Sequence, residues 1–401
     1  MPKRDRRSKT KRRRTSLKAS NAGPILALSA TIVGILGVIA LVVFVLLPFL
    51  LPKLGVEYNP PWQPTPTPQP TTRPTPTPHP VTLIDPVELQ HEVVLAGFDE
   101  YDWFADPYAW GDRLVFTAGR LVENDVQMDA LFSYDMVSGA HEKIKAELAY
   151  QNYVYPVCND TWLVYLDGKA NGGGILRAMR WDTGESFEVK QVYVGQPRLS
   201  LDGDTLAWIE RTGSRMDKLF VCDLNTKENT AVRLFNNSPY GQSSVSMYGG
   251  EIVYAEVDPN ATEAELDEEP TSAIYSVRVS VGKTDVYVPD TYVHDPKTNG
   301  REWIWRSGSH GAGDDLYWTR NAAPAKLLAE DIVEYGLSDR FAAYSKDESI
   351  FVYFFDNGTT VQITPDTDRE RTQLLGVSDG MVIWMDVTSR ERDIMKYARV
   401  E

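Results

Sequence analysis

Histidine, serine and paired carboxylates are the residues with which this chain could do acid–base or nucleophilic chemistry, and their placement offers little for either. The five histidines, His79, His91, His141, His294 and His310, share no i, i+2 or i, i+4 spacing, so no local pair could ligate a transition metal from one strand or one helical turn. His294-Asp295 and His310 with Asp314-Asp315 fall in one irregular stretch and could converge on a cation; they read as solvated loops instead. Gly308-Ser309-His310-Gly311 sets a serine beside a histidine, but sequence neighbours need not share triad geometry, and no G-x-S-x-G elbow is present. Gly172-Gly173-Gly174 lacks the Lys-Ser/Thr that follows a phosphate-binding loop and reads as a turn. With 56 acidic residues, a carboxylate pair suited to glycoside hydrolysis could be picked out anywhere, so none carries information.

Binding is better supported. Asp258, Glu263, Glu265, Asp267, Glu268 and Glu269 make an acidic insertion whose oxygens suit Ca²⁺, although the EF-hand spacing is absent and a solvated loop is the simpler reading. Trp303, Trp305, Tyr317 and Trp318 crowd one segment, and Trp103, Tyr108 and Trp110 another; such rings anchor sugars or peptides when exposed and fill a core when buried. The candidate binding residues are therefore Asp258, Glu263, Glu265, Asp267, Trp303, Trp305, His310 and Asp314. No catalytic residue and no cofactor other than Ca²⁺ is assigned. Cys158 and Cys222 fall in different strand classes, which disfavours a disulfide.

The elements that must carry these residues are short strands. From about Val87 onward, β-branched and aromatic runs alternate with Gly, Asp and Asn, and a turn followed by an apolar run recurs seven times. The turns are Gly111-Asp112, Asn159-Asp160, Asp202-Gly203, Gly249-Gly250, Asn299-Gly300, Ser338-Asp339 and Asp379-Gly380, each leading into a strand such as Leu206-Ala207-Trp208 or Val382-Ile383-Trp384. A second strand and turn follow in most intervals, as at Leu131–Asp135 before Ser138-Gly139 and Ile350–Asp356 before Asn357-Gly358. Four strands in roughly 40–50 residues is the period of a propeller blade. The predicted fold is an all-β propeller over 87–401, with seven blades favoured and six the alternative, because the fourth and fifth repeats match least well. The last repeat ends one strand short, and Glu88–Ala96 is strand-like, so it is expected to pair there and close the ring, placing His91 on a structural strand.

Ser200-Leu201-Asp202-Gly203-Asp204-Thr205-Leu206-Ala207-Trp208, paired with Leu219-Phe220-Val221-Cys222-Asp223, resembles the repeat of TolB-like, WD-repeat-like bacterial propellers. That resemblance implies a protein-binding platform, although some propellers of similar repeat are hydrolases or lyases. No TolB-type N-terminal domain precedes the repeats.

What precedes them reads as an anchor and a stalk. Residues 1–23 hold ten Lys and Arg against Asp5, about +9, which leaves about −24 of the net −15 on the rest. Ile25–Leu47 is 23 residues with only Ser29 and Thr31 polar, about 35 Å as a helix and enough for a bilayer core of about 30 Å. The segment 24–51 is thus expected to be a transmembrane helix, too long and without a cleavage site for a signal peptide. The basic cluster keeps 1–23 cytoplasmic and places the remainder outside. That cluster is assigned to topology, not to nucleic acid, which the acidic remainder would repel. Between 59 and 80, ten of 22 residues are Pro and six Thr, so the linker 52–86 is expected to be an extended polyproline stalk. The resulting expectation is a single-pass membrane protein with an outer propeller that binds a protein or a cell-surface glycan without catalysis. The alternative is an anchored polysaccharide hydrolase or lyase. A signalling receptor is disfavoured by a cytoplasmic segment of only 23 residues.

Overall fold

The computed structural model describes residues 81–83, 90–93, 100–213, 216–236, 243–258, 271–278, 283–287, 292–308, 313–320, 323–364, 371–388 and 393–400. The chain divides into two units, 1–69 and 70–401, and every described residue belongs to the second. The expected anchor and nearly all of the expected stalk lie outside the described residues; among those described, no helix is long and apolar enough to cross a membrane.

Twenty-nine strands are described, and they form seven sheets. Two short strands come first, β1 (Val81–Leu83) and β2 (His91–Glu92). The first blade is then β3 (Trp103–Trp110), β4 (Arg113–Val122), β5 (Asp125–Asp135) and β6 (His141–Lys143). The second is β7 (Asn152–Cys158), β8 (Trp162–Gly168), β9 (Gly174–Arg180) and β10 (Ser186–Val192); the third is β11 (Leu199–Asp202), β12 (Thr205–Arg211), β13 (Met216–Asp223) and β14 (Glu228–Asn236). The fourth is β15 (Val245–Tyr248), β16 (Glu251–Val257), β17 (Ser272–Arg278) and β18 (Lys283–Tyr287); the fifth is β19 (Val293–Thr298), β20 (Glu302–Ser307), β21 (Asp314–Arg320) and β22 (Lys326–Ile332). The sixth is β23 (Tyr335–Leu337), β24 (Phe341–Lys346), β25 (Ser349–Phe354) and β26 (Thr360–Gln362); the seventh adds β27 (Thr372–Ser378), β28 (Met381–Asp386) and β29 (Ile394–Arg399). The first strands of successive sheets neighbour one another, and β27 returns to β3, so the sheets form a closed seven-bladed propeller. The irregular fourth and fifth repeats each make a complete four-stranded blade, which removes the six-bladed alternative.

Closure follows the expected route. β2 is the outer strand of the seventh blade, with His91 opposite Tyr397 and Glu92 opposite Lys396. The Val93 N–H bonds to the Met395 carbonyl at 2.9 Å, and the His91 ring stacks on Tyr397. Val93 itself is buried between the seventh and first blades. One strand was not expected. Val81–Leu83, within the span read as linker, runs parallel to β26 as a fifth strand of the sixth blade, so ring-associated chain begins by residue 81.

The core is a set of wedges, one between each pair of adjacent blades. Seven hydrophobic clusters occupy the seven interfaces; Trp305 and Tyr317 of the fifth blade, for example, pack with Ile274 of the fourth. The second strand of each blade lies between two neighbouring strands and is covered on both faces, so it reads as a continuous apolar run without alternation. β8 and β28 are buried at every position, while the outer strand β14 is exposed at most positions. Trp208, Trp305 and Trp384 are among the largest fully buried side chains, each worth about 1.5–3 kcal/mol on burial.

The recurring turn residues stitch the wedges together. Hydrogen bonds cross all seven interfaces near the turn between the first two strands: Trp110 Nε1 to Asp160 at 3.0 Å, Asn159 Nδ2 to the Gly203 carbonyl at 2.7 Å, and the Gly250 N–H to Asp202 at 2.8 Å. The Thr298 N–H bonds to Ser246 Oγ at 3.1 Å, Asn299 Nδ2 to the Ser338 carbonyl at 3.0 Å, the Gly380 N–H to Ser338 Oγ at 3.0 Å, and the Gly111 N–H to Asp379 at 2.5 Å. Asp, Asn and Ser thus supply side-chain partners to backbone groups that no strand ladder reaches.

Candidate functional site: the upper mouth of the central channel

The first strands of the blades line a central channel, and all begin at the same end of the ring, called the upper end here. A cavity of about 500 Å³ opens there and is lined from every blade. Strand alternation brings the ends of β16 and β20 and the starts of β17 and β21 to this end as well. The described strands on either side of the acidic insertion and of residues 309–312 therefore meet those segments at the upper end.

Three inner strands share a local device. In β3, β7 and β19 the pairing register slips between Ala105 and Tyr108, Val154 and Val157, and His294 and Lys297. At each slip sits a left-handed residue followed by proline: Asp106 (φ 50°) before Pro107, Tyr155 (φ 48°) before Pro156, and Asp295 (φ 49°) before Pro296. Proline is tolerated because an innermost strand has a ladder on one side only. Bulges re-aim side chains, and here all three bulged residues line the cavity. Uncommon left-handed backbone at non-glycine residues collects at functional sites.

Charge is dense at this mouth. Arg198, Lys297 and Arg306 face Asp106, Asp295 and Glu334, with Tyr155, Tyr335 and Ser244 among them. Asp295 accepts from Ser244 Oγ at 2.8 Å and lies 3.2 Å from His294 Nδ1, while the Tyr335 hydroxyl donates to the Asp295 carbonyl. His294 Nε2 is 3.5 Å from Asp314, which Arg306 Nη1 reaches at 3.4 Å. Arg306 Nη2 also bonds Glu334 at 3.1 Å and the Val333 carbonyl at 2.6 Å. Burial would depress the His294 imidazolium, but Asp295 and Asp314 outweigh it and lift its pKa to about 9. Burial would raise the Asp295 carboxyl, and His294 holds it well below the usual carboxylate range. Burial and the nearby Arg198 push Lys297 down to about 8 against the pull of Asp295 and Glu334. Burial raises Asp106, opposed by the Tyr155 N–H at 3.1 Å and by Arg198.

This arrangement is poor material for covalent catalysis. Ser244, Asp295 and His294 are in contact, but the carboxylate sits between the serine and the imidazole, whereas a triad needs the imidazole in the middle. His294 faces a carboxylate at each nitrogen and is protonated at neutral pH, so it cannot serve as a base. Both cysteines are free and buried, with thiols pushed up by burial to about 12 at Cys158 and about 11 at Cys222, far from a reactive thiolate. Among the described residues no group of three His, Cys, Asp or Glu side chains is placed to hold a metal.

Of the residues singled out from sequence, Asp314 joins the cluster, and His294 and Asp295 belong to an inner strand, not to a solvated loop. Asp258 follows β16 at the upper end and is half-buried. Trp305 is 1% exposed, its ring stacked on Tyr317, so it offers no face to a ligand; Trp303 is half-buried against the same core. Glu263, Glu265, Asp267 and His310 lie outside the described residues, as does most of the acidic stretch read as a Ca²⁺ candidate. Arg198, Lys297 and Glu334 were missed. The signal that could have found them is the recurrent X-Pro at one point of the inner strands, in Asp106-Pro107, Tyr155-Pro156 and Asp295-Pro296, echoed by Pro197-Arg198.

A seven-bladed propeller is the class this geometry defines, and solved structures agree at the level of fold. The chain is similar to the β-propeller domain of the Trilobed protease from Pyrococcus furiosus, at 12% identity over 74% of this chain and 93% of that one, with TM-score 0.56. That domain is described as having an open velcro topology, whereas here β2 supplies a closing strand. An acylaminoacyl peptidase from Pyrococcus horikoshii matches at 11% identity over 72% of this chain and 50% of its own, with TM-score 0.53, so this chain spans about half the length of that enzyme. No protein-family model and no curated protein sequence matches the chain.

Proposed function

We propose that the protein is a membrane-anchored, extracytoplasmic propeller that binds a partner at the upper end of its ring and catalyses no reaction. The observation that carries this reading is where exposed apolar side chains collect. Six of the nine large hydrophobic residues exposed among those described, Trp103, Leu121, Tyr193, Val194, Leu234 and Val333, lie at the upper end, the same end as the charged mouth. Exposed apolar side chains on the same end of a rigid scaffold as a polar pocket suit an interaction surface. The TolB-like character of the repeat and the anchor-and-stalk reading of 1–80 support the same conclusion from sequence.

The test places a photo-crosslinking residue in the full-length protein at 194, on the upper end, and at 137, an exposed valine at the lower end. Crosslinks to one recurring cell-envelope partner are expected from 194 and not from 137. Equal labelling from both would remove the assignment of the face. Steady product release from a cell-surface polysaccharide by the purified protein would remove the non-catalytic reading and favour the hydrolase or lyase.

A further inference from the structure

The charged groups at the mouth are unequally committed. Arg306 is held by Asp314 and Glu334, and Asp295 by His294 and Ser244. Arg198 and Lys297 are not held in this way: among the described residues neither has a carboxylate within ion-pair distance. Each instead lies over a tyrosine ring, Arg198 4.7 Å from the centre of Tyr155 and Lys297 5.3 Å from that of Tyr335. The two cations are close enough to repel each other, which is one reason Lys297 holds its proton weakly. Asp106, Asp295 and Glu334 line the same cavity of about 500 Å³ and act on these cations only at longer range, so the N–H donors of Arg198 and Lys297 remain available to an anion that enters it.

We propose that Arg198 and Lys297 bind a carboxylate presented by a slender ligand entering the upper mouth. A carboxylate fits better than a neutral sugar. The exposed sides of the loops that supply Arg198 and Glu334 carry Tyr193, Val194 and Val333, which suit an apolar neighbour of the carboxylate. The two tyrosines at the mouth already have cations over their rings, and a sugar would need such a face for stacking. Asp106, which accepts from the Tyr155 N–H at 3.1 Å, is placed to accept from a donor on the ligand as well. This inference rests on the reading of the upper end as a binding face and names the chemistry of that face.

The carboxylate could end a peptide or belong to a sugar acid, and two probe pairs distinguish these sources. Binding of N-acetyl-trialanine is compared with its C-terminal amide, and glucuronate with glucose, by titration calorimetry on the full-length protein in nanodiscs. In one pair the acid is expected to bind about tenfold more tightly than its neutral analogue. The Arg198→Gln/Lys297→Gln protein should lose that difference while unfolding cooperatively at a denaturant concentration no lower than that of the wild type, since the Lys297 charge is held at a cost to the fold. A second readout needs no variant. Lys297 faces Asp295 on its own strand, Arg198 from the third blade, Arg306 on β20, and Glu334 and Tyr335 from the sixth, and its proton is lost near pH 8, so affinity for the acid should fall as pH rises through about 8. Equal affinity for acid and neutral probe in both pairs, or no binding of either acid up to on the order of 10 mM, would overturn the proposal. Crosslinking from 194 that survives the double substitution would leave the partner face standing, so the two readings fail separately.

Discussion

His294 and Lys297 are three residues apart on one inner strand, yet burial and charge move them in ways that make stability respond oppositely to pH. The folded pKa of His294 is raised from 6.5 to about 9, so its contribution is complete below pH 6.5 and is lost as pH rises toward 9. The folded pKa of Lys297 is lowered from 10.5 to about 8, so above pH 8 the unfolded chain binds more protons and stability rises with pH. The expected outcome is a urea midpoint that falls between pH 6.5 and 8, with a slope of at most about 1.4 kcal/mol per pH unit, and flattens above 8. His294→Gln should remove the fall, and Lys297→Gln should extend it toward pH 9. A midpoint in the His294→Gln protein that falls as steeply as in the wild type would show that the Asp295–His294–Asp314 chain is not ionised as described.

At the scale of elements, β2 is the smallest strand with a large expected effect. It completes the seventh blade, carries the His91–Tyr397 stack and places Val93 in the wedge against the first blade. Burial of Val93 and the backbone bonds to β29 together amount to on the order of 4 kcal/mol. A chain starting at Tyr101 should therefore unfold at clearly lower denaturant than one starting at Gln90, because an open edge remains at the junction where the ring closes. A chain starting at Val81 should differ little from the Gln90 version, since β1 adds only a three-residue outer strand to the sixth blade. Identical midpoints for the Tyr101 and Gln90 chains would show that blade packing alone closes the ring.

The whole molecule joins this ring to an N-terminal stretch known from its sequence. The Pro/Thr-rich run 59–80 lacks the backbone donors and apolar residues of a packed element, while β1 begins just beyond it. Protease added outside intact cells is expected to cut within 52–80 and release a folded fragment that retains β1 and β2. Recovery of that fragment only after the cells are opened would reverse the proposed topology.

The sequence by itself determined the period and the closing strand and favoured seven blades over six, which the complete fourth and fifth sheets then decided, and the physical reason is coverage. A second strand buried on both faces must be a continuous apolar run, and the turn before it needs Gly, Asn or Asp for its backbone and its cross-blade bonds, so both leave a mark repeated seven times. β1 is a three-residue strand at the rim of the sixth blade, too short to leave a pattern of its own. The candidate residues read from sequence included Asp258, His310 and Asp314, yet Arg198 and Glu334 come from the residues just before β11 and β23, and Lys297 from the bulged inner strand β19. Arg198, Lys297 and Glu334 are separated by roughly 37–136 residues in sequence and look like ordinary surface charges there. Only closure of the ring sets the third, fifth and sixth blades around one axis, where Arg198 and Lys297 meet without a direct ion pair and Trp305, conspicuous in sequence, disappears into a wedge. Strand composition fixes how each blade buries its faces; which charges share the channel follows from the sevenfold arrangement alone.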